Sequence, residues 1–284
     1  MDMVSLSNHE LEKFETLSED STSMNEPILF QVEKNIATLT FNRPETLNAM
    51  DETMGKAFGA ILKQIKSDPQ IRVVIITGAG RAFSSGGNLE MLESKIKKKK
   101  ATNQKELQNF YKTFLEIRKL PIPVIAAING PAVGAGFCLA LACDLRYAAT
   151  TAKLGANFAR LGLAPGMGGT YLITRLVGPT MASEILLTGN VFEAEQALDY
   201  GLLNDAVAAE SLMDYVKSIA TKIAQNGPVP VRLIKKGIQM AMHKTLEQMF
   251  IYDSAAQATC FATQDIKEGI AAIRQKRTPN FVGK

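Results

Sequence analysis

Two glycine turns in this 284-residue chain hold the groups best placed to do chemistry. The first lies in Asn129–Asp144, NGPAVGAGFCLALACD. There Gly134, Ala135 and Gly136 break an apolar strand, Val124–Ile128, and open an apolar helix, Phe137–Ala142. Backbone N–H groups at such a turn are unpaired and point outward, so they can hold a developing negative charge. The second turn is Phe83–Asn88, FSSGGN, which follows another buried strand and can supply a second donor. Side chains able to move a proton are scarce around both. The two histidines, His9 and His243, lie near neither turn, which argues against a His-based triad or a His metal site. Cys138, Cys143 and Cys260 are odd in number and lack C-x-x-C spacing, so they read as buried, reduced thiols of a cytosolic protein.

The elements that must position these turns follow from periodicity. Ile28–Val32 and Ile36–Phe41 alternate apolar and polar residues around Lys34-Asn35 and read as a hairpin. Leu47–Ile65 has apolar residues at helical spacing. Ile71–Thr77 is a continuous β-branched run, as expected of a strand buried on both faces. Lys95–Lys105 reads as a lysine-rich link to an amphipathic helix, Glu106–Lys119. After Val124–Ile128 come a short strand at Asp144–Ala148 and a third glycine turn, Gly162–Gly169. Helices are expected at Thr170–Val177, Pro179–Leu187 and Glu193–Tyr200, and a last strand at Ala206-Val207. Strands and helices alternate this far, which argues for an α/β core. From Glu210 onward the pattern is helical only, with a break at Asn226-Gly227-Pro228.

Composition sets the outer limits. With 46% apolar and 21% charged residues, the chain reads as a soluble globular protein of one large domain or slightly more. No apolar run approaches the ~18 residues of a membrane span, and residues 1–26 have neither the basic nor the apolar part of a secretory signal. A formal charge of +4 hides an asymmetry: residues 1–26 carry seven acids and one base, and the rest is strongly basic. The leader reads as a mobile acidic tail. The basic body suits a small polyanionic ligand more than nucleic acid, because no aromatic-plus-basic stripe accompanies it.

The ordered set of motifs resembles the crotonase family, also called the enoyl-CoA hydratase/isomerase family. The matching residues are Phe41–Glu45 with Leu47–Met50, Val73–Gly78 followed by Gly80–Gly87, and Asn129–Asp144. Further along they are Gly162–Thr170, Leu187–Gly189, Ala197–Leu202, and Phe261–Gly269 with Lys276, Arg277 and Phe281. The resemblance runs from about residue 27 to the C-terminus. It implies a right-handed ββα spiral core over residues 27–225 and a helical region over 226–284 that makes a homotrimer, which can pair into a hexamer. It also implies an acyl-CoA thioester ligand, with coenzyme A entering as part of the substrate and no separate cofactor. By position, Gly87 and Ala135 are the N–H donors that grip the thioester oxygen and stabilise an enolate. Leu47, Asn48, Ala49, Ser85, Asn88 and Leu89 fall along the CoA and substrate path. Lys276 falls in a C-terminal basic motif that can reach CoA phosphates.

The same alignment breaks at the acid/base positions. Family hydratases use two glutamates to deliver water across a double bond, and here those positions read Cys138 and Phe158. Asn88 stands where an acid usually follows the first donor, and Gly166 where dienoyl-CoA isomerases of the family place another. A positioned acid or base is worth ~10²–10⁴ in rate. A thiol among apolar neighbours stays protonated, and a phenyl ring transfers no proton. Efficient two-glutamate hydration is therefore not expected. What remains is a lyase or isomerase with different proton chemistry, decarboxylation included, since such a substrate generates the enolate itself. A non-catalytic acyl-CoA binder or scaffold subunit is the alternative reading.

Overall fold

The computed structural model describes residues 26–284. The expected mobile leader therefore lies, but for its last residue, outside the described residues.

The chain opens with β1 (Ile28–Glu33) and β2 (Ile36–Phe41), an antiparallel pair in register from Ile28 opposite Phe41 to Glu33 opposite Ile36. The intervening Lys34 and Asn35 both take positive φ, 48° and 68°. That geometry matches the right-handed twist of a two-residue hairpin. β2 then pairs in parallel with β3 (Val73–Gly78), reached through helix α1 (Glu52–Ser67). Asp51 caps α1 by accepting from Met54 N at 2.8 Å, and Met54, Phe58, Ile61, Leu62 and Ile65 form its buried face. The helix thus starts five residues later than the apolar spacing suggested. Leu47 and Asn48 adopt left-handed φ of 54° and 55° and cannot continue a right-handed helix.

The main sheet has the order β1-β2-β3-β4-β6-β9, where β4 is Val124–Ile128, β6 Leu145–Ala149 and β9 Asp205–Val207. All its pairings beyond the hairpin are parallel. Asn129 fastens the ends of β3 and β4 together, accepting from Gly78 N at 3.1 Å and donating to Gly80 O at 2.9 Å. A second sheet joins β5 (Ala132–Val133), β7 (Lys153–Gly155) and β8 (Val191–Glu193). Strands of two or three residues are too short to show a period, so these three carry no signal of their own in the sequence.

The lysine-rich stretch is not the expected loop. Helix α2 spans Leu89–Ile96, and α3 spans Lys100–Leu115, beginning six residues before Glu106. Lysine is a good helix former, and Lys95 and Lys98 both pair with the Glu106 carboxylate. Those two ammonium groups hold Glu106 below the usual carboxylate range. Helix α4 (Ala135–Ala142) is buried on every side, as its all-apolar sequence requires. Helix α5 (Gly169–Thr188) contains both expected helices, joined across a kink where Gly178 has φ 74° and ψ 169° ahead of Pro179. A short helix, α6 (Ala194–Asp199), leads to β9.

The C-terminal portion is helical as expected: α7 (Leu212–Ala224), α8 (Pro228–Ala241), α9 (Leu246–Phe261) and α10 (Gln264–Gln275). Leu212, Val216, Ala220 and Ala224 bury one face of α7. Tyr252 Oη donates to Leu233 O at 2.7 Å and ties α9 to α8. Lys235, on α8, reaches into the core to Asp144 Oδ2 at 2.6 Å and Ile122 O at 2.8 Å.

Candidate active site

The site is built where two chain segments bridge the sheets. Met50 and Gly87 form a parallel bridge, as do Ser84 and Ala132. In the first, Met50 N donates to Gly86 O at 2.6 Å and Asn88 N donates to Met50 O at 3.1 Å. The polar groups used are those of Gly86 and Asn88, so the N–H of Gly87 itself faces the other way. In the second segment, Gly134 N donates to Gly155 O at 2.8 Å and the chain then turns into α4. Ala135 is the first residue of that helix, where an N–H has no partner four residues back. Among the described residues, neither the Gly87 N–H nor the Ala135 N–H donates to a protein acceptor.

The two turns touch. A Cβ placed on Gly86 would lie 3.2 Å from Ala135 N, and one on Gly136 would lie 2.5 Å from Ser84 O. Only glycine permits so close an approach. Gly134, with φ 55° and ψ −119°, makes the turn that aims α4 at the Ser84–Gly87 segment. Two unpartnered donors and a helix N-terminus therefore converge on one locality. Such an arrangement can hold a negatively charged oxygen.

The wall beside these donors is apolar. The thiol of Cys138 and the ring of Phe158 both face Gly169, where a Cβ would lie 2.9 Å from Cys138 Sγ and 3.8 Å from Phe158 Cε2. Met91 and Leu92 lie across from Gly87, within 3.5 Å and 3.9 Å of its Cβ position. Burial pushes the Cys138 thiol up to about 12. Cys143 is raised to the same level by burial and by the neighbouring Asp144. At pH 8 a thiol with a pKa of about 12 is thiolate to only ~1 part in 10⁴, against a sizeable fraction for an ordinary cysteine. Iodoacetamide at pH 8 is therefore expected to leave Cys138 and Cys143 unmodified in the folded protein and to label both in urea. Peptide mass spectrometry reads the outcome, and labelling of Cys138 in the fold within an hour contradicts its placement.

Other residues expected along the ligand path fall into two groups. Leu47, Ala49, Ser85, Asn88 and Leu89 do gather at the donor turns: Ser85 N donates to Leu47 O at 2.9 Å, and Asn88 caps α2 by accepting from Met91 N at 3.0 Å. Ser85 and Leu89 are exposed there. Asn48 is fully buried and its side chain serves the protein, donating to Ala79 O and Ala82 O and accepting from Arg43 N. Lys276 caps α10 at φ 53° and is exposed, and no hydrogen bond or ion pair joins it to the donor turns. Arg160 is committed to the surface turn at Thr188 and Asn190. Asp144 serves the fold: it accepts from Val124 N at 2.8 Å and pairs with Lys235.

One residue escaped the sequence reading. Tyr111, on α3, brings its hydroxyl to the Cys138 end of the wall, 2.7 Å from where a Cβ on Gly166 would stand. Burial raises its pKa and the nearby Cys138 adds to the rise. The available signal was a phenol on the apolar face of a helix, which looks like core.

A parallel-sheet spiral with a helical C-terminal portion and two converging N–H donors defines a class. The chain belongs to the enoyl-CoA hydratase/isomerase family, which matches it over residues 31–284. It is 37% identical over 264 residues to a crotonyl-CoA hydratase of Syntrophomonas wolfei subsp. wolfei, covering 91% of this chain and 99% of that one. It is also 37% identical over 262 residues to the 1,2-epoxyphenylacetyl-CoA isomerase of Escherichia coli, covering 92% and 100%. The crystal structure of an enoyl-CoA hydratase from Bacillus anthracis shares the fold, with a TM-score of 0.86 at 35% identity over 91% of this chain and 100% of that one. The crotonase-like fold expected from the motifs is therefore the fold of this protein.

Proposed function

We propose that this protein binds acyl-CoA thioesters and stabilises an enolate on the thioester oxygen through the N–H groups of Gly87 and Ala135, without a pair of catalytic carboxylates. The observation that carries this reading is the pair of unpartnered donors on touching turns. The named relatives act on CoA thioesters, by hydration in one case and isomerisation in the other, which supports the ligand class. In this reading Cys138 and Phe158 stand where family hydratases carry their two glutamates, and neither side chain activates water at neutral pH. Reactions in which the substrate generates its own enolate, decarboxylation foremost, place the least demand on such a wall. The exposed apolar side chains of Ile234, Ile238, Leu246, Phe250, Phe261 and Ile273 support a trimer built through the helical region. The free thiols are in keeping with a cytoplasmic location.

The test pairs binding with turnover. Calorimetry is expected to show butyryl-CoA binding. Hydration of crotonyl-CoA is expected to run several orders of magnitude below that of efficient enzymes. No binding at millimolar butyryl-CoA overturns the ligand class. Fast hydration unchanged by Cys138→Ala overturns the proposed loss of the acid/base pair.

A further inference from the structure

The Tyr111 hydroxyl is the polar group that the reading above leaves without a task. Tyr111 is half-buried, and a tyrosine hydroxyl with an apolar body packed in this way ordinarily finds a hydrogen-bond partner. This one has none in the protein among the described residues, although its ring is packed against the core and against Phe110, with ring centroids 6.4 Å apart. Its position is built rather than incidental. Any side chain at residue 166 would collide with it, since a Cβ there would stand 2.7 Å from Oη and 3.1 Å from Cζ. A phenol ring has no flexible tip to swing away.

Its distance from the donors is also meaningful. Cys138 lies three residues along α4 from Ala135, a rise of about 4.5 Å. Tyr111 stands against Gly166, whose carbonyl accepts from Gly169 N at 2.8 Å, and Gly169 in turn faces the Cys138 thiol. An acyl group whose thioester oxygen rests on Gly87 and Ala135 and which runs along Cys138 and Phe158 is directed toward that hydroxyl beyond its thioester carbon. The Asn157 amide lies back at the helix-opening turn, its Oδ1 3.4 Å from the Cβ position of Gly134. Phe158, Met91 and Leu92 have no donor, and the Cys138 thiol is a weak one.

We infer that Tyr111 donates a hydrogen bond to an oxygen on the third carbon of the acyl group, so that the site selects 3-oxo, 3-hydroxy or 3-carboxy acyl-CoA thioesters over plain saturated ones. This rests on the acyl-CoA reading and narrows it to a substrate class. A raised phenol pKa keeps the proton in place through neutral and mildly alkaline pH, so the hydroxyl acts there as a donor. Gly166 is the positioning residue that leaves room for it.

The experiment compares acetoacetyl-CoA with butyryl-CoA by calorimetry on the wild-type protein, Tyr111→Phe and Gly166→Ala. The ratio of the two affinities isolates the third-carbon oxygen from everything the ligands share. Wild type is expected to prefer acetoacetyl-CoA, and Tyr111→Phe to lose ~5–10-fold of that preference, with butyryl-CoA affinity within twofold of wild type. Gly166→Ala should lose preference in the same direction by displacing the ring. A preference unchanged in Tyr111→Phe overturns the inference while leaving the acyl-CoA reading intact. Equal losses for both ligands assign Tyr111 to packing and overturn it too. If wild type binds neither ligand, the acyl-CoA reading falls and takes this inference with it.

Discussion

An Ala135→Pro variant is expected to keep its fold and to lose turnover of its acyl-CoA substrate by ~10²–10³, the usual cost of one donor to a developing oxyanion. The substitution removes one hydrogen atom of interest and little else of the architecture. Ala135 is the first residue of α4, where proline is well tolerated because the N–H has no helical partner. The residue before it is Gly134, at φ 55° and ψ −119°, and glycine accepts the conformations a following proline allows. Ala135→Ser is the control, since it changes the side chain and keeps the N–H. It should stay near wild type. The thioester carbonyl stretch of bound butyryl-CoA provides a readout independent of turnover: polarisation by the donors lowers its frequency, and Ala135→Pro should return much of that shift. A proline variant that retains both full shift and full turnover removes Ala135 from the site.

The second large effect concerns stability. Asp144→Ala should destabilise the fold by ~2–3 kcal/mol, because it strands a buried ammonium whose partner carboxylate is itself partly exposed. Lys235 is only 7% exposed, and its ammonium sits 2.6 Å from Asp144 Oδ2. Removing the carboxylate leaves that charge with the Ile122 carbonyl alone and leaves Val124 N without its acceptor. Lys235→Met should cost less, about 1–2 kcal/mol. It keeps the packed stem, and Asp144 retains Val124 N and partial access to water. Urea midpoints for the two variants test the asymmetry. Equal costs, or an Asp144→Ala cost below about 1 kcal/mol, contradict the account of a buried ammonium dependent on one partner.

Much of the fold could be read before any coordinates because the central strands announce themselves. Val73–Gly78 and Val124–Ile128 are buried on both faces, so their apolar runs are unbroken. The two glycine turns were equally legible, since their location depends on glycine spacing and not on side-chain chemistry. In the lysine-rich segment charge alone reads as solvation. Its order comes from Lys95 and Lys98 meeting Glu106, a tertiary fact. Asn48 was expected on the ligand path, yet its amide is spent on Ala79 and Ala82 in a turn whose shape only coordinates display. Tyr111 hid among Phe110 and Phe114, and its role hangs on a glycine in a different turn far along the chain.

Arg72, just ahead of β3, donates from Nη1 to Ala224 O at 3.0 Å and from Nη2 to Phe281 O at 2.8 Å. The second of these bonds joins residues 209 positions apart in sequence. Closing so long a loop yields no reward until the intervening chain is already ordered, and contacts of this kind slow folding more than they change stability. The start of the strand that leads to the Phe83–Asn88 turn is thus tied to a residue 209 positions further along the chain. During translation the Arg72 guanidinium must wait for both acceptors, and a chain held in that incomplete state is exposed to misassembly.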